Sequence, residues 1–205
     1  MSADAAPLQF VPTLPPEEAA RADFYALIAR LFYAPPDPAL LETLAAADEI
    51  VAEDGAASLA LAWRDLSLAA AAADAAAADG EYQALFVGTA RAPVSLYAGA
   101  YLSRTAADAP LVELRNYLTT RYISRRTSVF EPEDHFGVLC ELMRYLIAEQ
   151  HAPLEEQASV FNRFLWPSTG PLCDAIANAE RADFYRCVAR FAKAFLEIEH
   201  AAFDM

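Results

Sequence analysis

Glu131-Pro132-Glu133-Asp134-His135 places three carboxylates and an imidazole within five residues, and the proline stiffens the entry. Carboxylates so clustered can accept forked, charge-assisted hydrogen bonds from guanidinium groups. The imidazole could orient an acid or titrate near neutral pH. A proton relay between Asp134 and His135 is poor geometry, because neighbouring helical side chains point in different directions. A plainer reading stands beside these. The apolar stripe Phe136, Leu139, Cys140, Met143, Leu146 and Ile147 has the spacing of a helix with one buried face, and Asp134 or Glu133 could simply cap it.

Other chemistry is thinly represented. Glu197-Ile198-Glu199-His200 supplies one Glu-x-x-His spacing of the kind that carboxylate-bridged metal centres use twice, and the sequence holds no second copy. Only three histidines are present, His135, His151 and His200. There is no Gly-x-Ser-x-Gly elbow and no glycine-rich phosphate loop; the six glycines are scattered. Between Glu81 and Leu102 lie Tyr82, Leu85, Phe86, Val87, Pro93, Val94, Leu96, Tyr97 and Tyr101, many in a stretch without helical period. Rings on a loop either line a partner's groove or fold back to plug the core, and composition leaves both open.

The elements that must position these groups read as helices throughout. Proline, aspartate and glycine punctuate the chain. An extended arm is expected over residues 1–16, and one helical domain over 17–205 with about eight to ten helices. The first helix starts near Glu17 and is stopped by Pro35-Pro36. Asp37-Pro38 caps a short second one. Residues 56–79 are alanine-rich and helical, with an interruption at Asp79-Gly80. Glu81 to Val87 adds a turn or two, stopped by Gly88. Residues 89–109 form a structured loop with room for one short helix. Pro110 and Pro153 open further helices. Trp166-Pro167 breaks the second of these, Ser168 caps the next, and the last helix begins near Arg181. Arg21-Ala22-Asp23-Phe24-Tyr25 recurs as Arg181-Ala182-Asp183-Phe184-Tyr185; two bundle helices with similar surface pairs and core rings would account for the echo. No segment alternates as a strand does. The fold class is an all-α, single-domain bundle.

Composition narrows the partners. The net charge is -14 and the only lysine is Lys193. Such a surface repels nucleic acid and anionic membranes and favours a basic partner. Cys140, Cys173 and Cys187 lack metal or redox spacing and suit buried thiols in a reducing compartment. The sequence shows neither a secretory leader nor a span, so a soluble cytoplasmic protein is expected.

Read together, the motifs resemble a known family. Glu81-Tyr82-Gln83-Ala84-Leu85-Phe86-Val87-Gly88, followed by Pro93-Val94-Ser95-Leu96-Tyr97 and Tyr101-Leu102, is similar to the first signature of the TorD/DmsD/NarJ chaperones. Glu131-Pro132-Glu133-Asp134-His135, followed by Leu139, Glu141 and Met143, resembles their second. The opening Phe24–Phe32 helix, Trp166 and the terminal Phe184-Tyr185 helix agree. Thr89 stands where a proline is common, Ala98-Gly99 where a Glu-Ser pair is usual, and Tyr97 where tryptophan is frequent.

The resemblance implies a non-catalytic helical chaperone without a cofactor of its own, acting as monomer or homodimer. Its partner would be the twin-arginine leader peptide and apo-form of a molybdoenzyme catalytic subunit, with assistance in cofactor loading before export. On this reading Glu131, Glu133 and Asp134 take the guanidinium groups, with His135 beside them. Tyr82, Leu85, Phe86, Pro93, Tyr97 and Tyr101 belong to the same peptide-binding set, the rings covering the leader's apolar middle. The alternative is a ferritin-like, metal-dependent oxidoreductase built on Glu197 and His200.

Overall fold

Pro16 opens the first helix at a position whose N–H has no intrahelical acceptor, so the missing donor costs nothing. In the computed structural model, which describes residues 13–51, 56–87, 92–102, 110–124 and 130–205, this helix α1 spans Pro16–Tyr33. Asp37 accepts from the Leu40 N–H at 2.8 Å and caps α2 (Pro38–Ala45), as its spacing predicts. Then follow α3 (Ala57–Ala72), α4 (Ala75–Tyr82), α5 (Pro110–Thr120), α6 (Phe136–Ala148), α7 (Leu154–Val160), α8 (Trp166–Ala177) and α9 (Phe184–Phe203). Among the described residues there is no strand, only an isolated bridge between Tyr97 and His135. The chain is an all-α single domain. Most of the arm expected over 1–16 lies outside the described residues, as does the Gly88 stop.

Several boundaries differ from expectation, each for a local reason. The alanine-rich stretch breaks at Ala73, not at Asp79-Gly80. Asp74 turns its carboxylate onto the Ala76 and Ala77 N–H groups, and this cap outweighs alanine's helix preference. Gly80 rides inside α4. Trp166-Pro167 does not break its helix. The ladder widens to a π-turn over Phe161–Leu165 and runs on into α8, whose first turn accommodates Pro167. Ser168 is no cap, since its buried hydroxyl donates to the Leu165 carbonyl at 2.9 Å.

The last helix begins at Phe184, three residues after Arg181. Its N-terminus is capped from far away: Glu81 accepts from the Asp183, Phe184 and Tyr185 N–H groups at 2.8, 3.1 and 2.8 Å. A carboxylate there also meets the positive end of the helix dipole.

α1 lies along α6 and runs antiparallel to α9, while α3 and α8 flank α9. The repeated pentapeptide builds the two ends of the α1–α9 contact. Tyr25 donates to the Glu199 carboxylate, and Tyr185 donates to the Leu31 carbonyl. Arg21 pairs not with its neighbour Asp23 but in a fork with Glu199, at 2.8 Å on both oxygens. The stripe predicted for α6 is buried in full. Gly137 lets α6 approach α1 closely; a Cβ there would stand 2.9 Å from the Ala29 carbonyl oxygen. Cys140 and Cys173 are buried and Cys187 is half-buried, all as free thiols. No described helix is long and apolar enough to cross a membrane.

Candidate functional site

The acidic knuckle sits between the end of α5 and the start of α6, and the 94–102 loop is stitched to it. The Phe136 N–H donates to the Leu96 carbonyl at 2.7 Å, and the Ala98 N–H donates to the Asp134 carbonyl at 2.8 Å. These two bonds make the Tyr97–His135 bridge. They also correct the capping expectation. The N-cap position of α6 is His135, without a side-chain cap, and the loop's Leu96 carbonyl accepts the first helical N–H. Neither Asp134 nor Glu133 caps the helix.

The knuckle's carboxylates are therefore held for other contacts. Glu131 accepts from the Tyr97 phenol at 2.7 Å. Asp134 is half-buried and takes the Gly99 N–H at 3.3 Å; a Cβ at Gly99 would lie 3.0 Å from that carboxylate, which would have to shift by a few tenths of an ångström. Glu133 accepts from Arg115 at 2.9 Å. Tyr97 is 39% exposed, and its phenol is pushed up to about 12 by the hydrogen bond to Glu131, then by burial. Beneath it His135 is only 3% exposed, its ring edge-on to Tyr97 and Tyr33 with centroids 5.6 and 6.1 Å away. Its Nδ1 is buried without a hydrogen-bond partner. Burial holds the imidazole below its ordinary value, against the opposing pull of the Glu131 and Asp134 charges.

The loop's rings divide. Tyr82, Leu85 and Phe86, read from the sequence as wall residues for a peptide, are buried and present no face to a partner. Tyr82 donates to the Phe32 and Tyr33 carbonyls at 3.1 Å and so closes the end of α1. Phe86 packs edge-on against Phe32, Tyr82 and Tyr185. This part of the stretch plugs the core, because apolar rings backed by three helices lose less than they would in water. Tyr101 is half-buried and donates to the Ser95 carbonyl at 2.7 Å. Pro93 and Tyr97 remain at the surface, and Tyr97 is the one in contact with the acids.

A feature not legible in the sequence lies next to this corner. α1, the end of α5 and α6 enclose an open groove of about 750 Å³. Ala26, Ala29, Tyr33, Leu118, Val138, Leu142 and Tyr145 line it, together with Arg30 and Glu133. Glu141, Arg144 and Glu149 also line it; Arg144 forks onto Glu141 at 2.8–3.0 Å and reaches Glu149 at 3.4 Å. Small residues at 26, 29 and 137 were the available signal, but spacing alone does not say which helices meet there.

The Glu197–His200 pair is not assembled for metal binding. Glu197 is exposed, while the His200 ring stacks on Trp166 at 4.1 Å with Nδ1 at 3.2 Å from Asn162. Among the described residues no three His, Cys, Asp or Glu side chains come together as a metal-holding group.

Comparison with known proteins bears on the fold and the family. A search of curated proteins finds no significant match. The fold is similar to a crystal structure from Archaeoglobus fulgidus assigned as a redox enzyme maturation protein, with a TM-score of 0.56 and 17% identity over 93% of this chain and 98% of the other. The family model described as nitrate reductase delta subunit matches residues 52–174, a span that contains the loop, the knuckle and α6. The chain belongs to the nitrate reductase delta subunit family of NarJ/TorD-type chaperones, which mature molybdoenzymes rather than catalyse a reaction.

Proposed function

We propose that this chaperone acts in the cytoplasm by binding the twin-arginine leader of a molybdoenzyme catalytic subunit and holding the apo-subunit for cofactor loading before export. The observation that carries this reading is the corner where Glu131 and Asp134 act on the exposed Tyr97, with Glu133 next to them in the chain and paired with Arg115. A leader of this kind begins with guanidinium groups and continues with an apolar stretch. Carboxylates take the first by charge-assisted bonds, and rings such as Tyr97 beside Pro93 cover the second. The net charge of -14 speeds the approach of such a peptide. His135 acts from below as a positioning residue for Tyr97. Tyr82, Leu85 and Phe86 shape the corner from within the core.

Co-purification from the native host is the first test, with a leader-bearing molybdoenzyme subunit expected in the eluate. Its leader peptide is then titrated against wild type and the Glu131→Gln/Asp134→Asn double variant. We expect affinity to fall about tenfold, the scale of one or two lost charge-assisted bonds. Equal affinity in a folded double variant removes the knuckle from the binding site.

A further inference from the structure

The groove between α1, α5 and α6 is lined by two arginines; Arg30 is committed to Asp37 and to the Ala34 and Pro35 carbonyls, while Arg144 is held on the groove's own acids. The groove walls are largely apolar, with Ala26 and Leu118 half-buried and only the edges of the buried Ala29 and Leu142 reaching it. Its lining includes three carboxylates, Glu133 before α6, Glu141 on it and Glu149 just past its end. Arg144 does not point away from the last two. It lies along them, donating from Nε to both Glu141 oxygens and from Nη2 to one of them, while Nη1 reaches Glu149. Its side chain is 25% exposed, whereas those of Glu141 and Glu149 are 52% and 56% exposed. The guanidinium is thus seated on carboxylates that keep open faces. Arg115 donates to Glu133 at 2.9 Å with the exposures reversed, the carboxylate 13% and the guanidinium side chain 52% exposed, so the open carboxylate faces belong to Glu141 and Glu149.

An intramolecular guanidinium on carboxylates beside a largely apolar trough shows what else the trough would accept: an apolar segment that brings its own arginines. We propose that the client segment docks in this groove by exchange, its guanidinium groups displacing Arg144 from Glu141 and Glu149 while its apolar side chains fill the trough. The inference rests on the leader-peptide reading and extends it to a second surface and to a built-in competitor. Exchange of one guanidinium for another keeps the carboxylates paired throughout, so no desolvated charge is stranded. The net gain then comes from the apolar filling, and Arg144 sets a threshold. A peptide with arginines but no apolar segment gains nothing by displacing it. An apolar peptide without arginines leaves Arg144 in place and fills the trough only in part.

The test uses a fluorescently labelled synthetic peptide with two adjacent arginines leading an apolar stretch, and its counterpart with both arginines changed to glutamine. Each is titrated by anisotropy against wild type, Arg144→Gln and Arg190→Gln. Arg190 lies on α9 beside Asp65, away from the groove lining, and controls for loss of one positive charge. Arg144→Gln is expected to tighten binding of the arginine peptide about two- to fivefold, the scale of an exposed ion pair removed from competition. Arg190→Gln should change it by less than about twofold, since screening at physiological salt mutes a distant charge. The glutamine peptide should not distinguish the three proteins. Adding Glu141→Gln to Arg144→Gln should cancel the gain. Circular dichroism melting confirms that each variant is folded. If the arginine peptide binds wild type but Arg144→Gln tightens it no more than Arg190→Gln does, the exchange is refuted and the leader-peptide reading stands. If the peptide binds none of the three proteins, that reading falls and the exchange with it.

Discussion

Glu81 opens the first signature, yet the structure gives it a structural task, and Glu81→Ala separates the two roles. In the folded chain its Oε1 accepts from the Asp183 and Tyr185 N–H groups and its Oε2 from the Phe184 N–H. It thereby satisfies donors at the start of a 20-residue helix that have no partner within that helix. Removing an N-cap costs about 1–2 kcal/mol. The lost charge at the positive helix end adds about 0.3–1 kcal/mol. Water recovers part of the Asp183 donor, which is exposed, but less of the two part-buried ones. The total is about 2–3 kcal/mol for Glu81→Ala, or a fall in Tm of about 5–10 °C in a chain of this size. Glu81→Gln keeps the doubly accepting oxygen and should cost about 1 kcal/mol. The assay is thermal and urea unfolding of both variants, with leader-peptide titration at a temperature where all are folded. Affinity should match wild type. A Glu81→Ala protein that melts within about 1 °C of wild type would refute the cap. One that keeps its Tm but loses the peptide would move Glu81 into the binding site.

Gly137→Ala should destabilise by about 1–2 kcal/mol in urea titration, because the crowding against the Ala29 carbonyl outweighs alanine's better helix propensity. Glu199→Ala leaves the buried Tyr25 hydroxyl without its acceptor and Arg21 with Glu18 alone, and should cost about 2–3 kcal/mol by the same measurement. The folded state holds His135 below its usual value, so the unfolded chain takes up its proton first as pH falls; stability from this residue is present above about pH 6.5 and declines below it, and His135→Leu should flatten that acid limb of Tm against pH. At the alkaline end the Tyr97 phenol is pushed up to about 12 from an ordinary 10.0, so its contribution is present below pH 10 and fades from there towards 12; Tyr97→Phe should remove one phenol from the phenolate absorbance titration near pH 12, leaving the later part, where the more deeply buried Tyr25, Tyr117 and Tyr185 ionise, unchanged.

The sequence by itself determined what is local. The helical class, the starts at the Asp37-Pro38 cap, Pro110 and Pro153, and the buried face of α6 all follow from contacts three or four residues apart, which spacing displays. The acidic knuckle was legible as chemistry for the same reason, since its groups are neighbours in the chain. Tertiary structure decided what depends on partners far away. Glu81 meets the α9 terminus across about a hundred residues, and nothing in either segment announces the other. The Tyr82–Phe86 rings could have faced a client or the core; the helices packed behind them settled it, because burying them removes more apolar surface from water than exposing them. Leu96, not an acidic side chain, caps α6, since the tertiary fold lays a loop carbonyl against the free N–H. The groove exists only because small residues at 26, 29 and 137 fall on faces that meet, and that coincidence belongs to three helices at once.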